Sequence, residues 1–243
     1  MEYGTGEGFR SGYVALIGKP NVGKSTLLNA LMKQKLSIVT AKPQTTRRRV
    51  LGILSADDYQ AILLDTPGVI EPRYRLQELM MKDVTASAQD ADVMVFMADA
   101  TRDTVDELSL EYVGDRPSIL ALNKIDKVRK ENVLPLVEAY IEQHEFDEVV
   151  PISALKNYQL DVLLNAVVER LPFGRPFYPR DMISEQPERF FVAEIIREKI
   201  FQFYRQEIPY STQVNIVSFE ERKNEKDFID AEIVVERDSQ KGI

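Results

Sequence analysis

One eight-residue segment constrains the fold more than any other part of the chain. Residues 18–25 read Gly-Lys-Pro-Asn-Val-Gly-Lys-Ser, after the apolar run Tyr13–Gly18 and at the start of a helical pattern over 24–33. A strand, a glycine-rich turn and a helix in this order form a phosphate-binding loop, because main-chain N–H groups converge on an anion at the helix N-terminus. We predict that nucleotide is bound by Gly18, Lys19, Pro20, Asn21, Val22, Gly23, Lys24, Ser25 and Thr26.

Oxygen-bearing side chains extend this site toward a metal ion. Lys24 is expected to reach the β- and γ-phosphates, and the Ser25 hydroxyl is expected to ligate Mg²⁺. Asp65 begins an Asp-Thr-Pro-Gly turn at the end of an apolar run, where its carboxylate can hold Mg²⁺ through water. Gly68 of the same turn is expected to donate its N–H to the γ-phosphate. Hydrolysis would then release the loop.

The segment between these motifs carries two adjacent threonines, Thr45 and Thr46. One of them can complete the Mg²⁺ shell and sense the γ-phosphate; we favour Thr46, and a solvated loop threonine is the alternative. The metal ligands predicted are therefore Ser25, Thr46 and Asp65, and the predicted catalytic groups are Lys24, Thr46 and Gly68.

The position after Gly68 predicts slow turnover. A glutamine there orients the attacking water in Ras-like proteins, but this chain has Val69 followed by Ile70. In related GTPases with an apolar residue at this position, an asparagine in the phosphate loop helps to hold K⁺. We therefore hypothesise that Asn21 helps to hold K⁺ near the phosphates.

A second group of motifs predicts the base. Residues 123–126 read Asn-Lys-Ile-Asp at the end of the apolar run Ser118–Asn123. The Asp126 carboxylate can accept the N1 and N2 protons of guanine. Adenine lacks that pair of donors, so the motif selects GTP over ATP by leaving a buried carboxylate unpaired with the wrong base.

Other side chains are expected to complete the guanine site. The Lys124 stem can cover the purine face, and Asn123 can tie the surrounding loops together. Residues 153–155 end a later apolar run, and the Ala154 N–H can donate to guanine O6. We therefore include Ser153 and Leu155, beside Ala154, among the nucleotide-binding residues.

Apolar runs alternate with helical patterns through the first 170 residues. The predicted strands are Tyr13–Gly18, Val50–Leu54, Tyr59–Asp65, Asp92–Asp99, Ser118–Asn123 and Val149–Ser153. The predicted helices lie near 24–33, 76–89, 104–113, 131–143 and 160–170. This order predicts an α/β P-loop GTPase domain with a mostly parallel sheet and helices on both faces. Binding sites in such sheets lie at the carboxyl ends of the strands, where the motifs occur.

The pattern changes after residue 171. Four prolines predict a linker over 172–188, and apolar positions from Val192 to Phe203 predict an amphipathic helix. Two strand candidates follow, Thr212–Phe219 and Phe228–Glu236, joined by a charged turn around 223–226. The organisation predicted is a disordered tail at 1–11, a GTPase domain at 12–171, the linker, and a partial α+β domain at 189–243.

Composition excludes several classes of protein. The chain has no cysteine and one histidine, so a disulfide scaffold, a zinc ribbon and a thiol nucleophile are ruled out. No apolar run is long enough for a membrane span or a secretion signal, so we expect a protein that is not secreted. The net charge of −8 disfavours nucleic acid, yet residues 1–80 are positive and cluster Lys42, Arg47, Arg48 and Arg49.

The motifs together resemble the Era GTPases. The resemblance rests on the phosphate loop, on Lys-Leu-Ser-Ile-Val-Thr-Ala-Lys-Pro-Gln-Thr-Thr-Arg at 35–47, on Asp-Thr-Pro-Gly-Val at 65–69 and on Pro-Glu-Arg-Phe-Phe-Val at 187–192. It runs from about Gly12 to Ile243. The family implies a GTPase domain followed by a KH domain that binds the 3′ end of small-subunit rRNA during subunit maturation. It also implies Mg²⁺ with GTP or GDP, and some members associate peripherally with membranes; DNA is not an expected partner.

One departure affects the RNA prediction. KH domains clamp RNA backbone with a Gly-x-x-Gly loop, which in the family should follow residues 239–243, where this sequence stops. We therefore expect a chain truncated within the KH domain. The cluster Arg47–Arg49 offers another RNA contact, and a solvated loop face is the alternative.

The sequence bears on three other functions. An RNA-docking scaffold that binds GTP with little turnover is compatible with Val69. A GTPase for tRNA modification is disfavoured by the helix and two strands after the linker, and an ATP-using kinase is disfavoured by Asn123–Asp126. The absence of cysteines and of a secretion signal suits a bacterial cytoplasm or a chloroplast stroma.

Overall fold

The uninterrupted apolar runs of the sequence form the centre of one six-stranded sheet. The computed structural model describes residues 8–204, 208–223 and 226–242. The sheet order is β2-β3-β1-β4-β5-β6. The strands are Arg10–Ile17 (β1), Val50–Ser55 (β2), Tyr59–Asp65 (β3), Val93–Asp99 (β4), Ser118–Asn123 (β5) and Glu148–Pro151 (β6). Every neighbouring pair is parallel except β2 and β3, which form an antiparallel pair at one edge.

Helices cover both faces of this sheet. They are Lys24–Met32 (α1), Arg75–Asp90 (α2), Glu107–Leu110 (α3), Lys130–Gln143 (α4) and Leu160–Arg170 (α5), with a 3₁₀ turn at Ile125–Lys127. Successive strand residues point to opposite faces. Leu16 and Val95 therefore pack in the core beneath α1 and α5, whereas Ile17 and Phe96 pack in the core beneath α2 and α4. Burial on both faces explains why these strands are apolar at every position.

The mostly parallel sheet is confirmed, and the bounds of several elements differ from the sequence prediction. The helix predicted over 104–113 forms only over Glu107–Leu110, where the Asp106 side chain caps it by accepting from the Ser109 N–H. The first strand begins at Arg10 rather than Tyr13, because Arg10 and Ser11 continue the parallel register with β3. The tail predicted for 1–11 is therefore wrong at its last two positions, and residues 1–7 lie outside the described residues.

The proline-rich segment at 172–188 is fixed along the sheet. Gln60 of β3 is fully buried, and its side chain makes hydrogen bonds to the main chain of Phe177 and Tyr178. Further along, the Ile53 N–H of the edge strand donates to the carbonyl of Ile183 at 2.9 Å. The linker thus covers the open edge of β2, an edge that would otherwise expose unpaired backbone groups.

A smaller α+β unit follows the linker. It comprises Glu188–Phe203 (α6), Thr212–Glu220 (β7) and Phe228–Val235 (β8), with 3₁₀ turns at Ile208–Tyr210 and Asp238–Gln240. The two strands pair antiparallel with a bulge near residue 217, as the two strand candidates predicted. Of the charged turn predicted around 223–226, residues 224 and 225 lie outside the described residues. None of the described helices combines the length and apolar composition needed to cross a bilayer.

Candidate nucleotide-binding site

The predicted motifs meet in one pocket of about 540 Å³ at the carboxyl edge of the sheet. Parallel strands place their carboxyl ends together, so segments far apart in sequence arrive at the same place. The predicted site residues that line the pocket are Pro20, Asn21, Gly23, Lys24, Ser25, Thr26, Thr46, Gly68, Asn123, Lys124, Asp126 and Leu155. The remaining six predicted residues do not line the pocket; they are Gly18, Lys19, Val22, Asp65, Ser153 and Ala154.

The phosphate loop is closed around Lys24. This side chain is 5% exposed, and its Nζ donates to the carbonyls of Gly18 and Lys19 at 2.8 and 3.0 Å. Gly23, just before α1, has φ +108°, and a Cβ there would lie 2.2 Å from Nδ2 of Asn123. Only glycine therefore allows the loop to pass beneath Asn123 with its N–H groups facing the pocket.

Burial makes Lys24 unusually easy to deprotonate. Desolvation lowers the pKa of its ammonium to about 8, although the carboxylates of Asp65 and Asp106 oppose the shift. A phosphate anion at this position would restore a counter-charge and favour the protonated lysine. The pocket therefore holds a cation that a bound anion stabilises.

Three oxygen-bearing side chains meet beside Lys24. The Ser25 hydroxyl donates to Oδ2 of Asp65 at 2.7 Å, and it lies 3.0 Å from the Thr46 hydroxyl. Hydroxyl and carboxylate oxygens are the ligands that Mg²⁺ prefers. Within the described ranges, no group of three His, Cys, Asp or Glu side chains offers another metal site. Oδ1 of Asp65 is buried and accepts no hydrogen bond from the described residues, so this carboxylate still has acceptor capacity. The set fits Mg²⁺.

The structure distinguishes the two threonines. Thr46 faces Ser25 across the pocket, as favoured from the sequence. Thr45 also lines the pocket, but it is buried and its hydroxyl is engaged within the loop, where it donates to the Lys42 carbonyl at 2.8 Å and contacts the Thr40 hydroxyl at 2.7 Å. The Thr45 side chain thus stabilises the loop, and the Thr46 side chain is the one placed to bind a ligand.

The turn after β3 packs directly on the phosphate loop. A Cβ on Gly68 would lie 2.5 Å from the Pro20 nitrogen, so only glycine fits. The following residue, Val69, is 1% exposed, and its N–H donates to the Gly18 carbonyl at 3.1 Å. Val69 is therefore a core residue that offers the pocket no polar side chain.

Asn123 joins three loops around the base region. Its Nδ2 donates to the Val22 carbonyl at 2.7 Å, and its Oδ1 accepts from the Ala154 N–H at 2.9 Å. This linking geometry agrees with the sequence prediction for Asn123. The Ala154 N–H, predicted for guanine O6, is engaged by Asn123 in this conformation. It can serve a base only by sharing or exchanging that partner.

The other base residues lie at the rim of the pocket. Asp126 is exposed, and its Oδ1 accepts from the Ser153 hydroxyl at 2.6 Å, which orients the carboxylate. Leu155 lines the pocket and is 66% exposed. The Lys124 Nζ donates to the Asn21 carbonyl at 2.6 Å, so its stem spans from the base motif to the phosphate loop.

Two carboxylates that support the site were not predicted. Asp99, at the end of β4, pairs with the Lys124 Nζ at 2.6 Å. Burial raises the Asp99 pKa, but hydrogen bonds from Lys124 and Thr101 outweigh burial and lower it. Asp106 pairs with Lys19 of the phosphate loop at 3.2 Å. Asp99 could have been suspected from its place at the end of an apolar run, whereas Asp106 has no local signal.

Asn21 connects the phosphate loop to the segment that carries Thr46. Its Nδ2 donates to the Ala41 carbonyl at 3.0 Å, and its backbone has φ +65°. The side-chain amide is thereby held at the pocket, between two loops.

Comparisons with known proteins show which family the chain resembles. A family model described as "50S ribosome-binding GTPase" matches residues 13–124. The chain is 51% identical to chloroplastic GTPase ERA1 of maize (Zea mays) over 96% of its own length, but it spans only 58% of that relative. It is 42% identical to GTPase Era of Clostridium botulinum, over 97% of this chain and 81% of the relative.

A solved structure agrees at the level of the fold. The crystal structure of Era in complex with MgGDPNP and nucleotides 1506–1542 of 16S ribosomal RNA has a TM-score of 0.89 and 42% identity, over 95% of this chain and 80% of that one. The predicted fold class, a P-loop GTPase domain followed by a KH-type α+β unit, is confirmed. Because the pocket, the fold and a relative matched over four-fifths of its length all agree, this chain belongs to the Era family of GTPases.

Proposed function

We propose that the chain binds Mg²⁺ with GTP, hydrolyses GTP slowly, and acts as a switch in small-subunit assembly by binding the 3′ end of small-subunit rRNA. The binding step is supported by the pocket itself: Lys24 for phosphates, Ser25, Thr46 and Asp65 for the metal, and Asp126 for guanine. Bound Mg²⁺ would neutralise phosphate charge as it develops. Lys24 would hold the phosphates, and the Gly68 N–H would bind the γ-phosphate.

One structural observation supports the proposed switch. Neighbouring residues of one loop face the pocket and the second unit: Thr46 contacts Ser25, while the Arg47 guanidinium donates to the carbonyls of Pro209, Tyr210 and Thr212. We name residues 35–49 the switch segment. A ligand that moves Thr46 must also shift Arg47, whose hydrogen bonds hold the second unit. The bound nucleotide can therefore change the conformation of the RNA-binding unit.

Further contacts attach the switch segment to α6. Lys35 pairs with the buried carboxylate of Glu198 at 2.5 Å, and the same carboxylate accepts from the Val39 N–H. Lys42 donates to the carbonyls of Phe201 and Tyr204, where the helix ends. Cations and donors at a helix C-terminus satisfy its free carbonyls, so the segment serves as the cap of α6.

The RNA partner is supported by the Era structure that contains a 16S rRNA segment. That likeness favours the small subunit over the large subunit named in the broad family description. Arg47 and Arg49 of the switch segment are engaged within the protein in this conformation, because Arg47 binds carbonyls and Arg49 pairs with Asp90, which leaves only the exposed Arg48 of this cluster for RNA. RNA is therefore assigned to the KH-type unit. Peripheral membrane association and an exclusion of DNA remain expectations from the family.

Two finer proposals concern the ion and the compartment. Asn21 lies beside the Ala41 carbonyl, and amide and carbonyl oxygens are suitable ligands for K⁺; equal turnover in Na⁺ and K⁺ would contradict that role. A bacterial cytoplasm or a chloroplast stroma is supported by relatives of both kinds.

An RNA-docking scaffold with little turnover is the second candidate function. It is favoured by the burial of Val69, which leaves the pocket without a side chain to orient water from that position. Steady-state hydrolysis with and without small ribosomal subunits separates the two candidates. Stimulation by the subunits supports the hydrolysing switch, and equal low rates support the scaffold.

The test of the switch is RNA affinity in each nucleotide state. Binding to single-stranded RNA from a small-subunit 3′ end is measured with GDP and with a non-hydrolysable GTP analogue, at two salt concentrations. Tighter binding with the analogue at both salt concentrations is expected. Equal affinity in both states would contradict the switch, and loss of RNA binding with nucleotide still bound would contradict the RNA assignment.

A further inference from the structure

Two buried polar atoms next to the metal ligands lack a partner. Oδ1 of Asp65 and Oγ of Ser37 are both inaccessible to solvent, and neither completes a hydrogen bond with the described residues. Ser37 is 3% exposed, and Asp65 is fully buried. Unsatisfied buried groups are rare in folded proteins, and each one requires an explanation.

The two orphaned atoms belong to neighbouring side chains. The Ser37 hydroxyl faces the carboxyl of Asp65, close enough to form a side-chain hydrogen bond with it. Oδ2 of the same carboxylate already accepts from Ser25. Oδ1 of Asp65 and the Ser37 hydroxyl are therefore adjacent, and each can supply the hydrogen-bond partner that the other lacks.

Asn29 holds Ser37 at this place. Its Oδ1 accepts from the N–H groups of Leu36 and Ser37, both at 2.9 Å, and its Nδ2 donates to the Ser37 carbonyl at 2.7 Å. Asn29 lies one turn after Ser25 in α1, so both side chains extend from the same face of the helix. One helix thus supplies the metal ligand Ser25 and fixes the backbone of Ser37.

We propose that Ser37 is a positioning residue of the magnesium site, with its hydroxyl donating to Oδ1 of Asp65. This bond turns Oδ2 toward Ser25 and Thr46, where Mg²⁺ would be held. Asn29 acts one step further back by fixing Ser37. The inference rests on the proposed binding of Mg²⁺ with nucleotide. Outer-shell donors of this kind orient a ligating carboxylate, and their loss weakens metal binding about 10-fold or more.

The test is the Mg²⁺ dependence of nucleotide release. Release of a fluorescent GDP analogue is followed at increasing Mg²⁺, for the full chain and for Ser37→Ala, Asn29→Ala and Ser87→Ala. Ser87 is a matched control, because it is a buried serine in α2 that bonds only to its own helix. The same release is measured in EDTA to give the metal-independent rate.

We expect Ser37→Ala to raise the half-saturating Mg²⁺ concentration about 10-fold while the rate in EDTA stays unchanged. Asn29→Ala should act in the same direction, and Ser87→Ala should match the unmodified chain. In an Asp65→Asn background, Ser37→Ala should have no further effect, because the carboxylate that Ser37 orients toward the metal is no longer present.

Two results would overturn the inference. One is a Ser37→Ala chain that titrates like the unmodified chain, and the other is an undiminished effect of Ser37→Ala in the Asp65→Asn background. A release rate that does not depend on Mg²⁺ in the unmodified chain would instead contradict the proposed function. The two failures are thus distinguishable.

Discussion

At the scale of single residues, the two ends of the pocket use opposite charges. Lys24 is a buried cation whose neighbours are main-chain carbonyls, and Asp126 is an exposed carboxylate held by the Ser153 hydroxyl. Lys24 is therefore placed to bind an anion, and Asp126 offers a hydrogen-bond acceptor. Each makes a separate prediction.

Nucleotide affinity should depend on pH through Lys24. Its pKa is about 8 in the ligand-free chain, and bound phosphate oxygens raise it by favouring the ammonium. Below about pH 8 both states hold the proton, so affinity is constant. Above it, binding must take up a proton, and affinity for GDP falls as pH rises.

Calorimetry in two buffers of different ionisation enthalpy checks this. At about pH 8.3, before guanine itself titrates appreciably, binding should take up roughly two-thirds of a proton. Binding without proton uptake at that pH would show that Lys24 keeps its proton in the ligand-free chain.

Asp126→Asn should change the base preference. The amide loses the acceptor for one guanine proton and gains a donor that suits the C2 carbonyl of xanthine. Loss of a hydrogen bond to a charged group costs about 1.5–3 kcal/mol, so GDP affinity should fall roughly 10- to 100-fold while XDP affinity rises. Competition binding of the two nucleotides measures the change. Asp161→Asn, an exposed aspartate on α5, is the control, and an unaltered preference in Asp126→Asn would refute the base assignment.

The sequence predicted the residues that lie in contiguous motifs. Lys24, Ser25 and Asn123 could be identified because glycine spacing and strand ends are local signals. Asp99 carried the same strand-end signal, although it was not predicted. Ser37 and Asp106 could not be identified, because each acts through a partner more than 25 residues distant in the chain. Chain folding alone brings such pairs together.

At the scale of elements, the linker is better ordered than its prolines predict. Its backbone is held by Gln60, whose side chain serves two N–H groups and one carbonyl of Phe177 and Tyr178. The prolines correctly predicted that this segment is not a helix, but they did not predict its hydrogen bonds to Gln60. The helix predicted over 104–113 is shorter than its sequence pattern predicts. It begins only at Glu107, after the Asp106 cap.

Gln60→Ala should destabilise the chain. The substitution leaves buried groups of the linker unpaired, at a cost of about 3 kcal/mol in the free energy of unfolding. Urea unfolding measures the loss. Gln89→Ala removes an exposed glutamine and should be near neutral, so equal midpoints for the two variants would show that Gln60 does not hold the linker.

Arg47→Ala should loosen the contact between the switch segment and the second unit. Three hydrogen bonds to carbonyls before and within the start of β7 are lost. Amide hydrogen exchange in Thr212–Val214 should accelerate about 10-fold, because local opening becomes easier. GDP affinity should stay within about 3-fold, since Arg47 does not line the pocket. Arg48→Ala, the exposed neighbour, is the matched control; exchange that accelerates equally in both variants would contradict the assignment.

At the scale of the whole molecule, the second unit contacts both the switch segment and the core beneath α1, where Phe190 and Phe191 of α6 pack. The mostly parallel sheet with helices on both faces was predictable, because fully apolar runs and crossover helices permit few arrangements. How the α+β unit lies against the switch segment was not predictable. That contact depends on main-chain carbonyls, which any sequence possesses, and on Lys42 and Arg47, which the sequence offered equally to solvent or RNA.

The measurement that tests the central claim most directly is phosphate release from GTP labelled at the γ-position, with Mg²⁺ present. The chain should release phosphate slowly, unlabelled GTP should compete while ATP should not, and Lys24→Ala should abolish release because the buried phosphate contact is lost. Lys130→Ala, an exposed lysine on α4, should retain the full rate. Phosphate release that persists in Lys24→Ala, or that ATP suppresses as well as GTP does, would contradict a guanine-specific hydrolytic site in this pocket.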